Sequence, residues 1–321
     1  MKKLLKVFII LIMTSTLVLL VFAAGQAESS EAKTIQLNFA AAGVQGTYYP
    51  LAVGMSAIIS DIYPDIQITV ETTGGGVENG RLVGSGLNDM GLANNNFSLF
   101  AYQGKEPYRE KYNFYSIAYL YPAALHIIVM ENSPIHSIAD LKGKRVAAGP
   151  AGGGTIKVLR DMIPYYDMKE SDLKISYISF TDGASALRDG NVDANILIAG
   201  PPAGAALELA QTAKVRFIGV DKEIIQKMYE DYGYYIPAVF PKTMFNTTED
   251  ITTVGGGVQW IVRDGLSEDV VYRMTKAIFD NLDRVQKIHP ICKYIKLDTA
   301  RLVSIPLHPG AEKYYQEAGL E

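Results

Sequence analysis

Short apolar strands alternating with amphipathic helices predict an α/β protein of two similar lobes, each a sheet flanked by helices, with a hinge between them. Two observations carry this expectation. A strand–glycine turn–helix unit recurs along the chain, with Gly74–Gly76 and Gly152–Gly154 falling in different halves. The stretches Tyr121–Leu125 and Ile236–Pro241 read as a crossing and a recrossing between lobes. The first lobe is then residues 28–123 plus 239–321, and the second, residues 124–238, is inserted into it. A chain of 321 residues suits two domains at about 100–200 residues each.

Residues 1–27 read as a signal peptide. Lys2, Lys3 and Lys6 supply a positive end, Val7–Phe22 is apolar except at Thr14–Thr16, and small residues lead to a cut after Ala27. The apolar run approaches the roughly 18 residues that could span a bilayer, so a retained anchor is the alternative. No cysteine stands at the cleavage site, so a periplasmic protein that is not a lipoprotein is expected. Cleavage moves the net charge from -4 to -7 with no basic stripe, which argues against a nucleic-acid partner. Cys292 is alone and the four histidines are scattered, so neither an internal disulfide nor a zinc site is expected. No metal, no cofactor and a monomer are the expectations.

Strands are expected at Ile35–Ala42, Ile66–Thr72, Met90–Ala93, His126–Met130, Arg145–Ala148, Ile175–Phe180, Ala194–Ile198 and Val215–Val220. Helices are expected from Thr47 to Ile62, from Gly74–Gly76 to Gly84, from Gly152–Thr155 to Met162, and over Gly183–Gly190 and Ala203–Gln211. Two more follow at Glu268–Ile288 and Glu312–Ala318.

The glycine runs between strand and helix are the sharpest chemical signal. Glycine lets backbone approach a ligand closely, and free N–H groups at a helix start attract anions. Two such starts facing one cleft would hold a small anion from both lobes; the bland alternative for each is a tight turn. Gly255–Gly257, with no helix directly after it, reads as a turn or packing feature. Gly43–Gly46 lacks the third glycine of a dinucleotide fingerprint, and no run is followed by Gly-Lys-Ser/Thr. No Gly-x-Ser-x-Gly elbow occurs, and no catalytic residue is assigned. His126 opens an apolar strand and reads as a packed histidine, and Cys292 as a spectator. Tyr48, Tyr49 and Tyr121 stand near the glycine loops, where a tyrosine offers both a hydroxyl and a ring.

Gly46-Thr47-Tyr48-Tyr49-Pro50, Thr72-Thr73-Gly74-Gly75 with Val77-Glu78-Asn79, Leu120-Tyr121-Pro122, Asp140–Val146, Gly152–Thr155 and Ile305–Ala311 together resemble the TAXI-type receptors of TRAP (tripartite ATP-independent periplasmic) transporters. The resemblance covers essentially the whole mature chain. It implies a two-lobed periplasmic binding protein, type II-like, that closes on glutamate, glutamine or a related dicarboxylate and delivers it to TRAP membrane permease subunits. By match of motif, Gly46, Thr47 and Tyr48 would touch ligand from the first lobe, with Thr73 and Gly74 nearby. Gly154 and Thr155 would touch it from the second, with Tyr121, Gly200 and Pro201 near the cleft. Asn94 and Asn96 replace part of a Gln-Ser-Asp that relatives often carry, and Ala123 stands where many have an acid. Both departures lie near the expected cleft and tilt the ligand towards a carboxylate without an amino group. The alternatives are an exported dehydratase or lyase on the same fold, which would need a pair such as His126 with Asp182 or Glu78, and a sensory input module.

Overall fold

The computed structural model describes residues 34–320, so the predicted signal segment lies outside the described residues. The first elements are β1 (Ile35–Ala40), α1 (Tyr48–Ile62), β2 (Ile66–Glu71), α2 (Gly76–Gly84), β3 (Met90–Asn94), α3 (Asn95–Gln103) and β4 (Phe114–Met130). Next come β5 (Arg145–Ala147), α4 (Thr155–Met162), β6 (Lys174–Ser176), α5 (Phe180–Arg188), β7 (Ala194–Ala199), α6 (Gly204–Thr212), β8 (Val215–Phe217) and α7 (Lys222–Tyr232). The chain then forms β9 (Ile236–Phe240), β10 (Ile251–Arg263), α8 (Glu268–Phe279) and α9 (Pro309–Glu317). Among the described residues no helix is long and apolar enough to cross a membrane.

The strands form one hydrogen-bonded path in the order β2-β1-β3-β10-β4-β7-β5-β6, with β8 added to β4 and β9 to β10. Parallel pairs lie towards its two ends, β1 with β3 and β5 with both β6 and β7. Two long antiparallel strands cross the middle. β4 pairs with β10 over Phe114–Ala124 and with β7 over Ala124–Ile128. β10 pairs with β9 over Ile251–Gly255 and with β3 over Val258–Val262. Each long strand therefore serves both lobes of the α/β fold.

The third glycine run is strand, not turn. Gly255–Gly257 lies within β10 opposite Ala124–Pro122. A Cβ on Gly255 would come within 2.5 Å of the Ala123 carbonyl oxygen, and one on Gly257 within 2.7 Å of the Tyr119 ring. Close packing explains this run. The register shifts just beyond it, between Val258 and Gln259 and again between Trp260 and Ile261, as bulges do.

Other boundaries also moved. The strand expected at Ile175–Phe180 stops at Ser176. Helix α5 begins at Phe180 because the Ser179 hydroxyl accepts the Asp182 N–H at 3.1 Å, a Ser-x-x-Asp cap. The helix expected to reach Ile288 ends at Phe279, near which the Asn281 side chain donates to the Ala277 carbonyl at 2.9 Å. The N-terminal part of β4 was missed because Pro122 and its tyrosines do not read as a central strand. Helices α3 and α7 and strand β10 were missed as well.

Each lobe has its own core. In the first, Phe39 stacks on the single tryptophan, Trp260, with ring centroids 6.0 Å apart. In the second, Leu125, Ile127, Val146, Leu159 and Ile196 form the centre of a buried cluster. His126 points to the opposite face of β4, where its ring lies 4.5 Å from Phe240. Its Nδ1 is 3.0 Å from the Ala124 carbonyl oxygen. Burial pushes the imidazole down to about 4. The unfolded value is about 6.5, so the fold favours the neutral ring. That contribution is complete above pH ~6.5 and is lost as pH falls through ~4, about 3 kcal/mol at most. A His126→Gln variant is expected to lose less of its melting temperature between pH 7 and pH 4 than the parent, as measured by circular dichroism. Parallel curves would show that His126 is not an acid-sensitive element.

Candidate functional site

A cavity of about 140 Å³ opens where the chain leaves strands for helices. Its first-lobe wall is the loop from Ala42 to Tyr48, the turn Thr73–Gly76, and Asn94 at the end of β3. Pro150, Gly153, Gly154, Ser179–Thr181, Ile198 and Ala199 form the second-lobe wall. The ends of β1, β3 and β7 thus bound it, as expected for a ligand crevice at the carboxyl ends of strands.

Five helix starts meet at this cavity. Thr47, Gly75, Asn94, Gly154 and Ser179 cap α1, α2, α3, α4 and α5, and each cap lines it. The first four make no side-chain cap hydrogen bond. Among the described residues no acceptor is found for the N–H groups of Tyr48, Gly76, Gly154, Thr155 or Phe180. Each start carries roughly half a positive charge, so the walls favour negative charge although, among the described residues, no charged side chain lines the cavity.

Local hydrogen bonds fix these starts. The Gly43–Gly46 turn closes with the Gly46 N–H on the Gly43 carbonyl at 3.0 Å. Thr47 does not cap with its hydroxyl, which donates instead to the Gly200 carbonyl at 2.7 Å and ties the loop after β1 to the loop after β7. Tyr48 donates to Asn94 Oδ1 at 3.1 Å, and burial holds its hydroxyl far above the usual phenol range, so it stays protonated. Buried Asn79 donates to the carbonyls of Ala41 and Leu92 at 2.5 and 2.7 Å, pinning α2 to the ends of β1 and β3. Its Oδ1 accepts the Thr73 hydroxyl at 2.6 Å.

The two predicted glycine runs face each other across the rim. A Cβ on Gly74 would stand 3.1 Å from the Gly152 Cα, and one on Gly75 would stand 3.4 Å from the Gly153 Cα. Gly75 also sits at φ +117°, which side chains rarely adopt. Glu78 spans this contact: its N–H donates to the Gly152 carbonyl at 3.0 Å, and its carboxylate accepts the Gly74 N–H at 2.5 Å. A second contact lies behind it. Phe100 of α3 meets Tyr234 edge-on at 5.4 Å, and Lys157 of α4 lies 5.6 Å from the Phe100 ring centre. Lys157 is held by Asp161 at 2.5 Å, which also accepts the Tyr235 hydroxyl at 2.7 Å. The two walls of the cavity therefore touch along its rim.

Of the residues expected at the site, Gly46, Thr47, Tyr48, Thr73, Gly74, Asn94 and Gly154 line the cavity. Thr155 does not. It is 1% exposed, and its hydroxyl accepts the Ile198 N–H at 3.2 Å, holding α4 against β7. Tyr121 and Gly200 lie beneath the floor, where a Cβ on Gly200 would come 2.7 Å from the Tyr121 ring. Pro201 follows in that loop, and Asn96 is buried on α3; neither lines the cavity. Sequence reasoning missed Phe180, whose ring lies close to Gly46 and Gly149, together with Gln45, Thr181 and Ile198. The Ser179-x-x-Asp182 cap was the signal that could have placed a helix start there.

Comparison with known proteins agrees with this architecture. A curated protein of Escherichia coli (strain K12), named for binding aliphatic sulfonates, is 38% identical over 73 residues. That alignment spans 23% of this chain and 23% of the relative's length. The alkanesulfonate-binding protein SsuA from Xanthomonas axonopodis pv. citri, solved bound to MOPS, superposes with a TM-score of 0.52 at 14% identity, over 90% of this chain and 92% of that one. A protein of Bordetella bronchiseptica RB50 superposes with a TM-score of 0.52 at 16% identity, over 89% of this chain and 81% of that one. These superpositions show the two-lobed periplasmic-binding-protein fold. Residues 39–319 match the NMT1-like family, and the chain belongs to that family.

Proposed function

We propose that the chain is a periplasmic solute receptor, exported by residues 1–27, that closes on a small carboxylate and delivers it to a TRAP-type membrane permease. The lobes of this reading are residues 28–123 with 239–321, and residues 124–238. The observation that carries it is the convergence of helix starts from both sides of one cavity, with unpaired N–H groups and, among the described residues, no charged side chain on its wall. Membership of the NMT1-like family and the two-lobed fold support a receptor. The motif resemblance supports the TRAP assignment. Binding rather than catalysis fits the position of His126, the base an enzyme reading would need, in a packed core against Phe240.

A sulfonate head is the second reading, favoured by the 73-residue match to a protein named for aliphatic sulfonates. Carboxylate and sulfonate both present oxygen acceptors to backbone donors, so the same helix starts suit either.

Three outcomes are expected. Thermal-shift measurements on the exported protein should show a rise of roughly 5 °C or more with a cognate small carboxylate at 100 times its Kd, about 2.7 kcal/mol of linkage. No shift across carboxylates, sulfonates and amino acids would overturn the receptor reading. In vesicles carrying the permease, uptake should require the receptor and an ion gradient and continue without ATP; a strict need for ATP would overturn the TRAP assignment. Gly152→Val should wedge the rim open, because a Cβ there would lie 2.9 Å from a Glu78 carboxylate oxygen and 3.4 Å from the Gly74 Cα. Small-angle scattering should then give a larger radius of gyration in the presence of ligand, with affinity reduced at least tenfold and far-ultraviolet dichroism unchanged.

A further inference from the structure

We propose that the cavity selects an organic anion that lacks an ammonium group, and that the Asn94 amide supplies the side-chain donor for its anionic head. The inference rests on the receptor reading and narrows the ligand within it.

Asn94 is 5% exposed, lines the cavity, and has its Oδ1 taken by the Tyr48 hydroxyl. Its Nδ2 has no partner among the described residues. That bond orients the amide, leaving the NH₂ end as the free donor. The hydroxyl protons of Tyr48 and Thr47 are both committed, to Asn94 and to the Gly200 carbonyl. What remains for a ligand, among the described residues, is the buried Asn94 amide, the more exposed side chains of Gln45 and Thr181, and the N–H groups of the helix starts.

An ammonium group carries three donors and a full positive charge. Burying it without an anion or acceptors is costly, and helix N-termini repel it. Among the described residues no Asp or Glu lines the cavity. The acids on its flanking helices are engaged elsewhere: Glu78 accepts the Gly74 N–H at the rim, and exposed Asp182 takes the Ser179 hydroxyl at 2.7 Å. The cavity thus offers donors to an anion and no counter-charge to a cation. Phe180, Ile198 and Ala42 supply an apolar wall for the carbon body. A volume of about 140 Å³ is close to the ~150 Å³ that holds benzene in an engineered apolar cavity, so a body of about five or six carbons fits.

Matched pairs test this on the unmodified exported protein by calorimetry: 4-methyl-2-oxopentanoate against leucine, 2-oxoglutarate against glutamate, and propanesulfonate against taurine. In every pair that binds, the ammonium-free member is expected to bind at least tenfold more tightly. The carboxylate and sulfonate arms distinguish the two head groups. Asn94→Ser should weaken the preferred anion about tenfold with far-ultraviolet dichroism unchanged. Asn94→Asp should reverse the preference within the pair. Equal or tighter binding of the amino acid overturns the inference and leaves the receptor reading standing, as does unchanged affinity in Asn94→Ser. Binding of none of the six overturns both.

Discussion

The two lobes meet at the cavity rim through backbone, Gly74 and Gly75 lying against Gly152 and Gly153. This contact sets the distance between the helix starts of the two sides. The approach is tightest at Gly74, where a Cβ would stand 3.1 Å from the Gly152 Cα, and at Gly153, where one would stand 3.1 Å from the Gly74 carbonyl oxygen, so a side chain at either would push α2 and α4 apart. The Glu78 N–H, bonded to the Gly152 carbonyl, and the Thr47 hydroxyl, bonded to the Gly200 carbonyl, then secure the apposition on two sides.

Among the described residues formal charge is absent from the wall, and this shapes the chemistry. A lysine or arginine there would itself have to be desolvated as the lobes closed, at a cost that an ion pair does not always recover. Backbone N–H groups at helix starts are already placed and hold only partial charge, so closure requires little rearrangement. The full charges lie outside: Lys157 and Asp161 behind the rim, and Arg263 on Asp89 at 2.7 Å towards the far end of the sheet. Selectivity inside the cavity then rests on the direction of hydrogen bonds, and Tyr48 sets that direction for Asn94.

Much of this was legible in the sequence, and for identifiable reasons. Glycine runs between an apolar strand and an amphipathic helix mark places where backbone must come close, and Gly74–Gly76 and Gly152–Gly154 are such places. Single residues were harder. Thr155 and Thr47 look alike as hydroxyls beside glycine loops, yet Thr155 turns inward to the Ile198 N–H while Thr47 stays on the wall. Nothing local to a sequence distinguishes a side chain facing a cleft from one facing a strand. Phe180 was hidden for a related reason. Its apolar neighbours Ile175 and Ile178 extend a strand pattern, and the Ser179 cap that ends it depends on one hydroxyl. The length of β4 was hidden because its pairing partner β10 lies more than a hundred residues away and Pro122 interrupts the strand pattern.

β4 and β10 pair from Phe114 and Arg263 as far as Ala124 and Gly255, and there they part, β4 continuing beside β7 and β10 beside β9. A loop hinge would let the lobes slide and tilt freely, but a ribbon with an intact ladder yields mainly by twisting about its own length. Its bulges after Gly257 are where that twist is most easily taken up. The ladder thus reaches the point where the strands part, and the chain passes there as two hydrogen-bonded strands, not as loops.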